Sequence, residues 1–184
     1  MPTLPSPWSL RDVRASDAAA ILEAFRSAPD MERQGDVTDQ DSAAAYCAWL
    51  RGEDRHSVAL VDADDTLRGI VAVAVDEQNR TGWFFYWLHA GHRRQGLAAR
   101  AAATVADHAL APSDVGGWGL ERLELGHRAN NPASGSVARA GGFMVEGRER
   151  EKFLIGGTRH DVLTYGRIRS DPPATAQHLP WSHA

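Results

Sequence analysis

The aromatic run Trp83-Phe84-Phe85-Tyr86-Trp87-Leu88 leads through His89 into His92-Arg93-Arg94-Gln95-Gly96, and an alanine-rich segment opens at Leu97-Ala98-Ala99. A strand, a short basic loop and a helix start therefore follow one another with almost no spacer. Backbone N–H groups at a helix start lack an intrahelical partner, and the helix dipole adds partial positive charge there. Gly96 lets the backbone approach a ligand, and Arg93 and Arg94 add full charge. Such a junction suits a diphosphate. The same residues also read as a surface turn with two solvated arginines.

A second stretch narrows the choice. Further along the chain comes Asn131-Pro132-Ala133-Ser134-Gly135-Ser136-Val137, followed by Gly141-Gly142-Phe143. Together the two stretches resemble the GNAT N-acetyltransferase superfamily, in which an Arg/Gln-x-x-Gly-x-Gly/Ala loop grips the pyrophosphate of acetyl-CoA. Arg93-Arg94-Gln95-Gly96-Leu97-Ala98 matches that loop. Asn131, Ser134 and Val137 before Gly-Phe resemble the branch of ribosomal-protein serine and alanine N-terminal acetyltransferases, the Rim type. Val145-Glu146-Gly147-Arg148 and His160-Asp161-Val162-Leu163-Thr164-Tyr165 resemble it as well. The likeness places a GNAT domain at 8–169 and leaves 170–184 as a tail. It implies acetyl-CoA as cosubstrate and a primary amine as acceptor, most naturally a protein or peptide N-terminus.

Composition limits the alternatives. The chain of 184 residues is long enough for one domain with a real core. No apolar segment reaches the length of a membrane span, and the N-terminal residues lack a signal-peptide pattern. The single cysteine, Cys47, permits no internal disulfide, so a reducing cytoplasm is the simplest compartment. Twenty basic against 24 acidic residues, a net charge of −4, argue against nucleic acid as the main partner. A monomer and a homodimer are both compatible with this.

The apolar pattern predicts the element order β-α-α-β-β-β-α-β-α-β-β. Trp8–Arg14 reads as a strand, and Ser16-Asp17 caps a helix over Ala18–Ser27. Pro29 to Asp36 reads as polar and irregular. Thr38, Asp39 and Asp41 each qualify as cap of the next helix, which runs to Leu50. Val58–Val61 and Leu67–Val75 read as strands around an acidic turn. Trp83–His89 and Arg122–His127 are strands that flank an alanine-rich helix, Leu97–Leu110. A helix opens at Pro132, and strands follow over Phe143–Leu154 and Asp161–Ile168. The tail is Pro- and His-rich without periodicity and is expected to be poorly ordered. This order specifies an α/β (α+β) domain with a mixed, mostly antiparallel sheet of about six or seven strands and helices on both faces. The resemblance adds that the fourth and fifth strands splay apart and that the cofactor enters the gap.

Acyl transfer from a thioester to an amine needs positioning, a polarised carbonyl, and proton movement off the amine and onto the thiolate. The resemblance sets the backbone of Trp87, Leu88 and His89 against the pantetheine arm and acetyl carbonyl. It sets Arg93, Arg94, Gln95, Gly96, Leu97, Ala98 and Ala99 on the diphosphate. Asn131 matches a pantetheine-contacting asparagine and also reads as a helix N-cap. Many relatives protonate the thiolate with a tyrosine, whose place here is taken by Ala138. In the Rim-type branch a serine at the position of Ser134 is proposed for that duty; a first-turn serine bonding to local backbone is the plain alternative.

A general base is harder to find. The usual glutamate near Trp83 is absent, and counting along the strand after Gly-Phe puts Phe153 in the place of another. Glu151, two residues earlier and of the same strand parity, is the candidate, with Glu149 as rival. Taken alone, either one reads better as an exposed carboxylate in a charged run, and a water chain along backbone carbonyls serves equally well as base. His89 and His92 straddle a turn without ligand partners at metal spacing, so no metal is expected. Small-molecule amine acetylation and a non-catalytic acyl-CoA sensor remain as alternative functions.

Overall fold

The computed structural model describes residues 7–182, and its centre is the aromatic strand β4 (Thr81–Leu88). Successive side chains of a strand point to opposite faces, so an aromatic run covered on both sides must be sandwiched between helices. On one face Phe84 and Leu88 pack with Ala101, Ala102, Val105 and Ala106 of helix α3 (Leu97–Leu110). On the other, Trp87 joins Ile21 and Phe25 of α1 (Ala18–Arg26) and Ala43, Cys47 and Leu50 of α2 (Gln40–Leu50). The Trp87 indole N–H donates to the Tyr46 hydroxyl at 3.1 Å, which satisfies its one polar atom. The small side chains of α3 let that helix lie close against the bulky strand.

The sheet has seven strands in the order β1-β2-β3-β4-β5-β7-β6. They are β1 Ser9–Asp12, β2 Arg55–Val61, β3 Leu67–Asp76, β4, β5 Arg122–Arg128, β6 Met144–Ile155 and β7 Thr158–Ile168. All neighbours are antiparallel except β4 and β5. Helix α4 (Pro132–Ala140) connects β5 to β6. The mixed, mostly antiparallel sheet with helices on both faces is the expected architecture. Of the three candidate caps for α2, Asp39 is the one used: its carboxylate accepts from Ser42 N at 2.9 Å. Residues 29–36 are less irregular than expected, because Pro29–Gln34 forms a 3-10 turn that buries Met31.

The end of the chain makes contacts that its sequence pattern does not announce. Leu179 is 2% exposed and enters the α3-side core, and Trp181 forms a parallel bridge with Leu10 on the outer edge of β1. Leu10 N donates to Pro180 O at 2.9 Å, and Ser182 N donates to Leu10 O at 2.7 Å. Arg100 of α3 donates to the carbonyls of Gln177 and His178, and Leu179 N donates to the Thr104 hydroxyl at 2.9 Å. The segment is thus a strap over α3. Truncating a fully buried leucine costs about 2–5 kcal/mol, so Leu179→Ala is expected to lower Tm clearly. An unchanged melting curve would mean the strap does not hold the core.

Candidate active site

The two strands β4 and β5 pair at only three positions: Thr81 with Arg122, Gly82 with Leu123, and Trp83 with Glu124. A Cβ on Gly82 would lie 2.3 Å from Val73 Cγ1 and 2.9 Å from Leu120 and Leu123, so this joint requires glycine. Beyond it each strand stays bonded on its outer side only. β3 holds β4 as far as Leu88, and β7 holds β5 as far as Arg128. The inner edges part, and the sheet forks toward the loop that starts α3.

That loop carries two residues in the left-handed region, Arg94 (φ 63°) and Gly96 (φ 74°). The first intrahelical bond of α3 is donated by Arg100 to Gly96 O at 3.0 Å. The amides of Leu97, Ala98 and Ala99 are therefore left at the helix start without an intrahelical acceptor. Among the described residues, no atom outside Gly96 and its two chain neighbours lies within 4 Å of the point a Gly96 Cβ would occupy. Arg94, Gln95 and Gly96 are exposed, and among the described residues the Arg94 guanidinium has no partner. Open space, free amides and a cation together fit a diphosphate.

Arg93 does not join them. Its side chain donates to Asp30 at 3.0 Å, to Met31 Sδ at 3.1 Å and to Leu88 O at 3.3 Å. The residue leaves a short 3-10 turn in extended conformation, which aims it back at the Pro29–Gln34 turn. Its charge is spent on tying that turn to the end of β4. The backbone of the strand end is also engaged: His89 N donates to Arg68 O at 2.7 Å. Burial, with His92 nearby, pushes the His89 imidazole below its ordinary range, and its Nδ1 accepts from Gly91 N at 3.0 Å.

The start of α4 provides the other wall. Asn131 is its N-cap, and Oδ1 accepts from Ser134 N at 3.3 Å. That bond fixes the amide orientation, so Nδ2 faces the Ser134 hydroxyl and donates to it at 3.0 Å. The serine oxygen accepts there, and its own proton stays free for a further acceptor. Tyr86 of β4 donates to Ser134 O at 3.0 Å and so reaches α4 from the other branch of the fork. Burial pushes the Tyr86 phenol up to about 12, which keeps it a neutral donor.

Glu151 lies elsewhere. Between Glu149, paired with Val162, and Phe153, paired with His160, three residues of β6 face the single residue Asp161. Glu151 sits in this bulge at φ 53°, exposed, with its amide donating to Asp161 Oδ1 at 2.8 Å. The bulge breaks the alternation on which its parity with Phe153 rested. Glu149 is exposed and pairs with Lys152 at 2.6 Å. The carboxylate at the fork is Glu124, cross-strand neighbour of Trp83, one of whose oxygens accepts from Arg122 Nε at 2.7 Å. A search along β4 alone misses it, because the pairing of β5 brings it there. Nothing in the sequence pattern marks Tyr86 as a contact to α4. The one signal for His127 is its place after Leu123 and Leu125 in the inward-facing set of β5.

An acetyltransferase (GNAT) domain model matches residues 9–144, most of the forked sheet. The chain belongs to the GNAT acetyltransferase family. It is 27% identical over 110 residues to the ribosomal-protein-serine acetyltransferase of Escherichia coli (strain K12), which is 59% of each chain. The chain thus spans about three fifths of the length of the curated relatives it matches. RimL, a ribosomal alpha-N-protein acetyltransferase solved in complex with coenzyme A, superimposes with TM-score 0.78 at 21% identity, over 90% of this chain and 96% of that one. A spermidine N-acetyltransferase chimera from Vibrio cholerae and hSSAT gives 0.72 at 23% identity, over 90% and 97%. At these identities the solved structures share the GNAT fold, whatever amine each one takes. Among the described residues no helix is long and apolar enough to cross a membrane.

Proposed function

We propose that the chain transfers an acetyl group from acetyl-CoA to a primary amine, and that the acceptor is a protein or peptide N-terminal α-amine. The observation that carries the proposal is the fork between β4 and β5, which opens onto the unfilled space at Gly96 on one side and the Asn131–Ser134 pair on the other. The diphosphate rests on the amides that start α3, near Arg94. The pantetheine arm runs down the fork. The amine nitrogen bonds to the acetyl carbon, the C–S bond breaks, and the proton lost by the amine is matched by one gained at sulfur. Ser134 stabilises the departing sulfur with its free hydroxyl proton. Glu124 and water receive the amine proton. The likeness to a ribosomal-protein-serine acetyltransferase supports an N-terminal acceptor.

The transfer is direct, with no acetyl-enzyme. Cys47 is 1% exposed, its thiol donates to Arg14 O at 3.1 Å, and burial pushes its pKa up, so it is no thiolate nucleophile. The hydroxyl of Ser134 meets an asparagine, not an activating base. Incubation with acetyl-CoA alone is expected to leave the intact mass unchanged. A stable acetylated protein that hands its group to an amine would sink the direct route.

The test of the function is thiol release from acetyl-CoA with peptides beginning in Ser or Ala and with small amines such as polyamines. Turnover with the peptides supports the proposal. Turnover with small amines only reassigns the acceptor. Tight acetyl-CoA binding without turnover on any amine replaces the enzyme by a sensor.

A further inference from the structure

β5 buries Leu123, Leu125 and then His127, so a histidine occupies a position where the strand otherwise places leucine. A buried polar ring needs partners at both nitrogens. His127 Nδ1 lies 2.8 Å from Arg128 O, which can only accept, so Nδ1 carries the proton. In the neutral ring Nε2 is then the acceptor, and the hydroxyl of the fully buried Tyr165 donates to it at 3.1 Å. Arg139 Nη1 stands 3.5 Å from the same hydroxyl oxygen. The ring is thereby locked in orientation by groups from β5 and β7.

The first turn of α4 rests on this locked ring. A Cβ on Gly135 would come within 3.0 Å of His127 Nε2 and 3.2 Å of both His127 Cε1 and Arg139 Nη1. Any larger residue there would have to push the helix or the ring away by a few tenths of an ångström. Gly135 directly follows Ser134, whose carbonyl is held from the opposite branch of the fork by Tyr86. One strand of the fork supplies a seat, the other a tether, and Ser134 lies where they meet.

We propose that His127 is a positioning residue for Ser134: its imidazole, oriented by Arg128 O and Tyr165, sets the height of α4 through Gly135 and so aims the Ser134 hydroxyl into the fork. The inference rests on the reading of Ser134 as the donor to sulfur. A small displacement of a donor from the developing charge is costly, because the bond matters only near its ideal geometry.

The experiment is a double-mutant cycle with Ser134→Ala, supported by resonance assignments that need no turnover. His127→Leu is expected to lower kcat about 10-fold while acetyl-CoA KM stays within about 2-fold of the parent. His127→Gln, whose amide oxygen can still accept from Tyr165, recovers most of that loss. In the Ser134→Ala background His127→Leu has no further effect, since the group it positions is gone. The amide resonances of Ser134 and Gly135 shift in His127→Leu and return toward the parent in His127→Gln. A kcat loss of equal size in both backgrounds, or no loss, overturns the proposal. Unshifted Ser134 and Gly135 resonances overturn it even if no amine is ever turned over. A parent protein inactive on every amine, with the resonances shifting as expected, refutes the proposed function and leaves the seat standing.

Discussion

Gly96→Trp is expected to abolish CoA binding while leaving the protein folded. The space above Gly96 is empty to 4 Å, and the helix-start amides of Leu97–Ala99 lie beside it. An indole there covers the amides and excludes a diphosphate. Charge-assisted hydrogen bonds contribute roughly 1.5–3 kcal/mol each. Losing two of them weakens binding by about 3–6 kcal/mol, or roughly 10²- to 10⁴-fold. Backbone strain adds a separate cost, because φ at Gly96 is 74° and a left-handed residue other than glycine costs about 1–2 kcal/mol. Two controls separate these effects. Gly96→Ala carries the strain without the bulk and should keep most of the affinity. Gly116→Trp places an indole at φ 87° in equally open space, but past the far end of α3, about 21 Å of helix away. It should bind CoA as the parent does. Calorimetry on the four proteins gives the answer, and a Gly96→Trp protein that binds CoA normally would show the loop assignment to be wrong.

How much of this site is legible in the sequence depends on which physical effect sets each part. Helix α3 runs from Leu97 to Leu110 as the sequence predicts, because Gly96, an alanine run and Pro112 are all local signals. Asn131 as N-cap is legible for the same reason, since a cap is made within one turn. The fork is not legible from pattern. It depends on whether β5 keeps its pairing with β4 beyond Trp83, and the joint lies where Gly82 packs against Val73, Leu120 and Leu123 from elsewhere in the chain. The basic character of the loop is visible, but the direction of each side chain is not: among the described residues Arg94 has no partner, and Arg93 is bound to Asp30, 63 residues away. The parity that links Glu151 to Phe153 assumes an uninterrupted strand, and the β6 bulge interrupts it. The C-terminal strap has no periodicity to read. Its backbone groups bond to Arg100, Thr104 and Leu10 and its Leu179 side chain enters the core, so its contacts are with partners far along the chain.

Ser134→Ala is expected to lower kcat far more than it raises the acetyl-CoA KM. The serine oxygen already accepts from Asn131 Nδ2, which leaves its one proton to donate elsewhere. In the proposed mechanism negative charge grows on sulfur as the C–S bond breaks, and a bond from the hydroxyl would strengthen. An interaction stronger in the transition state than in the ground state appears in kcat. A single preorganised donor of this type is worth on the order of 10²-fold. A thiolate leaves more readily than an alkoxide, so the effect should fall at or below that figure. Asn131→Ala is the informative companion. It removes the cap, which costs about 1 kcal/mol of stability, and it also removes the donor that orients the serine hydroxyl. Its kcat should therefore fall in the parent and change little when Ser134 is already alanine. Steady-state kinetics, with single-turnover rates to show that chemistry limits, decide the matter. An unchanged chemical step in Ser134→Ala would reduce the serine to a partner of its own helix cap and leave protonation of the thiolate to water.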